Sequence, residues 1–374
     1  MPPLVIDLRR TEDARDAVHR AVQLLVEGKL VVFPTETIYG LGASARNAAA
    51  VERIYAVKGR SHDVPMALAI KSAEEAFDYI PHPNKLVGRL ARRCWPGPVT
   101  LVVDGGPGET LLHRLPEGVQ QAVSPHGTVG FRVPAHPIVQ DVLKMLAGPI
   151  VLTSANRSGG ADPATAQQVL QELGNEVALV LDDGPCRYGQ PSTVVRVSGN
   201  ETQCLREGVV GKSALSSLSS LLVLVVCTGN TCRSPMAEGL MKKLLAEKLG
   251  CPVAEIEQRG VIVASAGVAA VQGCAASPEA IEVMKEQGID ASRHESRPLT
   301  DKLVRHADII FTMTNSHRQN ILRRWPEASS RVKTLQADGR DIGDPIGGPV
   351  SLYRDCAAQV EQALRDRLAS LESW

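Results

Sequence analysis

The chain predicts an α/β protein in two domains, and three observations carry that prediction. Apolar, β-branched runs alternate with amphipathic stretches, the pattern of strands interleaved with helices. The length of 374 residues, with 44% hydrophobic content, is long for one domain and enough for two cores. A small, Ser-rich stretch, G-K-S-A-L-S-S-L-S-S at 211–220, reads as the interdomain linker. The expected division is a domain over 1–210, the linker, and a domain over 221–374.

Residues 11–27 place Val18, Val22 and Leu25 on one helical face and stop at Gly28, and L-V-V-F then reads as a buried strand. Ser72 with Glu75 is a capping-box start. V-T-L-V-V, V-G-F-R-V, I-V-L-T-S, A-L-V-L and T-V-V-R-V are further strands, which makes the N-terminal part a mixed α/β domain with a large sheet. Past the linker, L-L-V-L-V-V is a buried strand that halts at Cys227. P-M-A-E-G-L-M-K-K-L-L from Pro235 is a helix, with Ser234 expected as its N-cap and Pro235 as its first residue.

Composition excludes several classes. M-P-P-L-V-I-D-L-R-R has no apolar signal core, and no run approaches the roughly 18 to 20 residues of a membrane span, so a cytoplasmic protein without membrane association is expected. Eight cysteines without C-x-x-C or Cys/His spacing indicate neither a disulfide framework nor a zinc site. Residues 1–210 carry 21 Lys+Arg against 22 Asp+Glu, and 211–374 carry 20 against 19; neither half is a basic polyanion binder. R-E-G-V-V-G-K-S at 206–213 partly fits a nucleotide P-loop. Arg206 stands where its first Gly is needed, and no strong helix is expected after it, so the motif is rejected.

The most informative segment is Cys227 to Pro235, C-T-G-N-T-C-R-S-P. A loop between a buried strand and a helix N-terminus gathers backbone N–H groups toward one point, where a tetrahedral oxyanion is held. The same field favours a thiolate at Cys227, which attacks phosphorus. Arg233 offers a planar fork for two equatorial oxygens. The bland alternative, a buried inert cysteine before a turn, does not account for Thr228, Gly229, Asn230, Thr231, Cys232, Arg233 and Ser234 together. These residues resemble the low-molecular-weight protein phosphatase family. S-A-G-V at 265–268, H-E-S-R-P-L-T at 294–300, A-D-I-I-F-T-M-T at 307–314 and D-P-I-G-G at 344–348 follow in that family's order.

The resemblance implies a doubly wound, flavodoxin-like domain without a cofactor, with Cys227 as nucleophile, Arg233 on the phosphoryl group and Asp344 as general acid. It leaves Cys232 either packing the loop or capping an oxidised Cys227 as a disulfide. Tyrosine-directed relatives carry a bulky aliphatic residue at the position of Thr231 and an aromatic after Asp-Pro, where this chain has Ile346. The loop resembles the protein-arginine phosphatase branch, which implies phosphoarginine on protein as the favoured substrate, with phosphotyrosine as the alternative.

In the N-terminal part, P-T-E-T-I-Y-G-L-G-A at 34–43, K-G-R at 58–60, T-S-A-N-R-S-G-G at 153–160 and P-S-T-V-V at 191–195 gather hydroxyls, amides and cations at strand ends, a cleft for a polar, anionic ligand. With P-G-P-V-T-L-V-V at 96–103, F-R-V-P at 131–134 and L-R-E-G at 205–208, they resemble the YrdC-like threonylcarbamoyl-AMP synthase family. That resemblance implies an L-threonine subsite at Thr35, Arg132 and Ser192, and an ATP subsite at Lys58, Arg60, Thr128, Ser154, Asn156 and Arg206. It also implies bicarbonate or CO2 as a substrate, Mg²⁺ accompanying ATP, and a separate tRNA-modifying transferase complex as recipient of the adenylate. M-A-L-A at 66–69 departs from the Pro-Leu of many relatives. The rival class is an RNA-binding module that uses the same concave surface without chemistry.

Overall fold

A computed structural model describes residues 2–11, 13–80, 83–105 and 110–371. The chain divides into two compact units, Met1–Leu218 and Ser219–Trp374.

The first unit is built on a mixed sheet of β1 (Leu4–Asp7), β2 (Val31–Phe33), β3 (Gly40–Ser44), β4 (Ala67–Ala69), β5 (Val99–Asp104), β6 (Thr128–Arg132), β7 (Ile150–Ser154), β8 (Leu179–Asp182), β9 (Thr193–Ser198) and β10 (Glu201–Arg206). The spatial order is β1-β8-β2-β3-β7-β4-β6-β5-β9-β10. Successive side chains leave a strand on opposite faces. Leu30 and Val32 accordingly enter one apolar cluster, whereas Val31 and Phe33 enter another with Val18, Leu25 and Ile138. Helices cover both faces, which is why the strand is apolar at every position. The helix Ala14–Val26 is capped by Asp13, whose side chain accepts from Arg15 N–H, and the chain then turns through Gly28 at φ +75°. Ser72 caps the helix Ala73–Tyr79 by accepting from Glu75 N–H, but the Glu75 carboxylate takes the N–H of Lys71, so the box is not reciprocal.

The stretch 211–220, expected as the interdomain linker, contains a helix, Lys212–Ser219. Leu215 is buried in the first unit's core and Leu218 packs against it, an i, i+3 apolar stripe worth about 2 kcal/mol for the Leu215 side chain alone. The Arg93 guanidinium donates to Leu218 O at 2.6 Å and holds the helix end. The same helix corrects one ground for rejecting a P-loop at 206–213; Arg206 in place of the first Gly still rules it out.

The second unit is a four-stranded sheet in which every pair is parallel, with β11 (Leu221–Cys227), β12 (Val261–Gly267), β13 (Ile309–Thr312) and β14 (Val332–Thr334) in the order β12-β11-β13-β14. Val223 and Val225 face one helical layer, Leu224 and Val226 the other. The chain crosses from one side of β11 to the other, so the carboxyl end of β11 is the switch point where doubly wound sheets bind ligands. Cys227 is the last residue of that strand. Among the described residues no helix is long and apolar enough to cross a membrane.

Candidate active sites

In the second unit, Cys227 is 3% exposed and its sulfur is the focus of the loop. Asn230 N–H reaches Sγ at 3.2 Å and Ser234 Oγ lies 2.9 Å from it. The helix Arg233–Leu249 begins two residues earlier than expected, with Cys232 at the N-cap and no side-chain cap. Ser234 is therefore not the N-cap, and Pro235 is not the first helical residue. The Ser234 hydroxyl is taken by the sulfur and by Asn230 Nδ2 at 2.9 Å, so the first-turn N–H groups stay free of a side-chain cap.

Asn230 is fully buried at φ +58°, a left-handed conformation that is uncommon for a residue other than glycine. Five polar contacts hold it there: to Cys227 Sγ, to Ser234 and Ser265 through Nδ2, from Arg297 N–H to Oδ1 and from His294 Nε2 to its carbonyl. The His294 contact, 2.8 Å to a carbonyl, fixes its tautomer as Nε2–H. Thr228 Oγ1 lies 2.8 Å from His317 Nε2. Burial, and then the Arg233 guanidinium, hold the His317 imidazole below its ordinary range. Sequence reasoning named neither histidine as a site residue; H-E-S-R was the available signal for His294, and nothing local marked His317.

Val268 and Ala269 N–H groups donate to Cys227 O and Thr228 O, laying the 267–269 segment against the loop. Gly267 permits this approach, since a Cβ there would lie 2.4 Å from Thr228 O and 3.0 Å from Asn230 N. Gly267→Ala is expected to destabilise the second unit by about 1–3 kcal/mol and to depress phosphatase turnover. An unchanged unfolding midpoint for that unit would contradict this packing.

Arg233, 5% exposed, donates through Nη1 to Ile342 O at 3.4 Å and through Nη2 to the Asp344 carboxylate. Arg233 thus ties Asp344 to the loop whose polar groups gather on the Cys227 sulfur. Cys232 Sγ lies 3.5 Å from the Tyr353 hydroxyl. Thr231 is partly exposed, its hydroxyl 3.7 Å from Cys232 Sγ and its carbonyl taken by Ser277 N–H. Ile346 is 69% exposed.

In the first unit, the candidate residues line two cavities that share Arg60 and Ser154. One, of about 390 Å³, includes Thr35, Thr128, Arg132, Ser192 and Arg206; the other, of about 370 Å³, includes Lys58, Asn156 and Asp162. Arg132 donates to Glu36 Oε1 at 2.8 Å and to Thr37 Oγ1 at 2.7 Å, while its buried Nε has no protein partner. Glu36, within the P-T-E-T segment, was not singled out by sequence; its other oxygen accepts from Ala135 N–H. Arg206 donates to Ser192 O and Ser192 Oγ, at 2.9 and 3.1 Å through Nη2, which ties a residue assigned to ATP to one assigned to threonine. Thr35 donates its hydroxyl to Ile38 O at 2.6 Å. Arg60 is pinned by Val64 O and Pro65 O. Lys58 Nζ sits among Ser154 O and Asn156 O at 2.5 Å and Asn156 Oδ1 at 3.2 Å, and burial lowers its pKa to about 8. Met66, from the departing M-A-L-A, lines the larger cavity.

A mixed α/β unit with a cation-lined double cavity and a doubly wound unit with a cysteine phosphate loop define a synthase-like and a phosphatase-like enzyme. The model of the Sua5/YciO/YrdC family, described as telomere recombination, matches residues 23–208, and that of the low molecular weight phosphotyrosine protein phosphatases matches 222–373. A putative threonylcarbamoyl-AMP synthase of Mycobacterium tuberculosis is 33% identical over 57% of this chain and 93% of its own length. A protein-arginine-phosphatase of Geobacillus stearothermophilus is 41% identical over 39% of this chain and 93% of its own. The chain therefore belongs to both families, the first through its N-terminal part and the second through its C-terminal part. It spans only 59% of the length of the Bacillus subtilis threonylcarbamoyl-AMP synthase that it matches at 35% identity. The structure of Pyrococcus abyssi Sua5 complexed with L-threonine aligns over 97% of this chain and 98% of its own with a TM-score of 0.52; at 22% identity the likeness is one of fold.

Proposed function

We propose that the chain is a bifunctional enzyme that forms L-threonylcarbamoyl-adenylate and hydrolyses protein phosphoarginine. For the second activity, the carrying observation is that the loop aims Asn230 N–H at the Cys227 sulfur while its Arg233 holds Asp344. The Cys227 sulfur attacks phosphorus while the P–N bond breaks and Asp344 gives the departing guanidine its proton. Phosphoryl oxygens compete with Asp344 for Arg233 Nη2, so substrate entry itself turns the carboxyl toward the leaving group. Asp344 then takes a proton from water as water attacks the phosphocysteine, and phosphate leaves.

Phosphoarginine is favoured over phosphotyrosine by the rim: Thr231 and the exposed Ile346 offer no ring to clasp a phenol. Thr231→Ile is expected to shift the preference toward phosphotyrosine by at least about 1.4 kcal/mol, a tenfold change in relative kcat/KM. Assays of phosphoarginine and phosphotyrosine peptides check this; wild-type protein preferring phosphotyrosine would return the unit to the tyrosine phosphatases.

For the synthase, the carrying observation is that both residue sets line cavities joined at Arg60 and Ser154. The amine of threonine takes up bicarbonate or CO2, the carbamate attacks the α-phosphorus of ATP, and pyrophosphate leaves. Arg132 suits the threonine carboxylate through its unpartnered Nε. Mg²⁺ is bound chiefly by substrate phosphates with one or two carboxylates, and Asp162 supplies a carboxylate on the wall beside Lys58 and Arg60. The ion would neutralise phosphate charge there. The unstable adenylate passes to a separate tRNA-modifying transferase. Pyrophosphate release that requires both threonine and bicarbonate is the test; a cavity that binds RNA and releases none would favour the binding-module alternative.

A further inference from the structure

The hydrogen-bond order around Asn230 is fixed by one backbone donor. Arg297 N–H lies 2.8 Å from Asn230 Oδ1, and a backbone N–H can only donate, so the amide oxygen faces it. Asn230 Nδ2 then gives its two hydrogens to Ser234 Oγ and Ser265 Oγ, each 2.9 Å away. Each hydroxyl, having accepted from Asn230, has one hydrogen to place. Ser234 directs its own at Cys227 Sγ, 2.9 Å away. Ser265 directs its own at Glu238 Oε2, 2.6 Å away. Glu238 stands one turn beyond Ser234 on the same helix, its side chain 13% exposed, and the ammonium of Lys242 one turn further holds Oε1 at 2.5 Å.

We infer that Glu238 is a positioning residue of the phosphatase reaction, the acceptor that keeps this chain of hydrogen bonds aimed at the Cys227 sulfur; it rests on the phosphatase function proposed for this unit. Among the described residues the Ser265 hydroxyl is partnered by Asn230 and Glu238; without Glu238 its hydrogen loses that acceptor, and the Asn230 amide nitrogen cannot replace it. The amide then turns or loses a partner, and Ser234 is no longer committed to the sulfur. Phosphate itself is held by loop N–H groups and Arg233, none of which Glu238 touches. Glu238 therefore serves attack and not anion binding.

The test uses the full chain with p-nitrophenyl phosphate as substrate, inorganic phosphate as competitive inhibitor and iodoacetate as a probe of the Cys227 thiol. Glu238→Leu is expected to lower kcat at least about tenfold and to slow alkylation of Cys227 by a similar factor, with the inhibition constant of phosphate within about threefold of wild type. Glu238→Gln can still accept from Ser265 through its amide oxygen while Lys242 turns to solvent, and should keep about a third or more of kcat. Adding Glu238→Leu to Ser265→Ala should cost less than about twofold further, because the hydrogen that Glu238 accepts is already gone. A wild-type kcat in Glu238→Leu overturns the inference. So does a phosphate inhibition constant that rises in step with the loss of kcat, or a Glu238→Gln variant as impaired as Glu238→Leu. If the wild-type protein releases no phosphate, the phosphatase function fails on its own, while alkylation rates still report whether Glu238 acts on Cys227.

Discussion

Cys227→Ser is expected to abolish phosphate release from every substrate, a loss on the order of 10⁴-fold or more, while threonine-dependent pyrophosphate release continues. The hydroxyl retains the shape of the site but not a nucleophile that the loop can supply in its ionised form. The N–H of Asn230 and the hydroxyl of Ser234 are both aimed at Sγ, contacts that serve an anion at that atom and do little for a neutral alcohol. Asp344→Asn separates the acid from the nucleophile. An amide has no proton to give a departing phenol or guanidine, so substrates with poor leaving groups should slow most, and activated aryl phosphates, whose leaving group departs unaided, should slow least. Equal losses on both substrate types would remove Asp344 from the acid role and leave it as a partner of Arg233 alone.

The architecture of both units was legible because central strands such as β2 and β11 are buried on both faces, which writes apolar residues at every position of L-V-V-F and L-L-V-L-V-V. The loop after β11 could be singled out because its proposed chemistry is local, with Cys227 and Arg233 six residues apart. What escaped was non-local. Ser234 follows N-cap preference by type, yet its hydroxyl is claimed by a sulfur seven residues back and by Asn230. His317 and Asp344 reach the loop from 89 and 111 residues away in sequence; only the order of family motifs pointed to Asp344. Serine content suggested a linker at 211–220, but two leucines three residues apart suffice to seat a short helix on the core. Glu36 was hidden inside a turn-like P-T-E-T, and its role as partner of Arg132 needs β6 brought beside that turn.

Lys58→Ala is expected to cut threonine-dependent pyrophosphate release by roughly 10²-fold and to leave phosphatase turnover unchanged. The family resemblance implies an ATP subsite at Lys58, where a cation would neutralise phosphate charge, and the contacts of Lys58 suggest a second duty. The ammonium spans Ser154 O, Asn156 O and Asn156 Oδ1, so it also ties the end of β7 to the turn after it, a stretch that carries two of the proposed ATP residues. All these neighbours are acceptors, which suits a charged amine with three hydrogens, yet burial lowers its pKa to about 8. The sign of the pH effect follows. Below about 8 the free enzyme carries the charge on Lys58, and above it the charge is lost. kcat/KM for ATP, which reports the free enzyme, should therefore decline as pH rises through that range. Saturating ATP brings phosphate charge beside the ammonium and favours its protonated form, so kcat should decline only at higher pH. Lys58→Arg, which stays charged throughout, should remove the decline from whatever activity it retains. A Lys58→Ala variant with full synthase rate, or a wild-type kcat/KM profile flat from pH 7 to about 9.5, would place the nucleotide end of the cleft elsewhere.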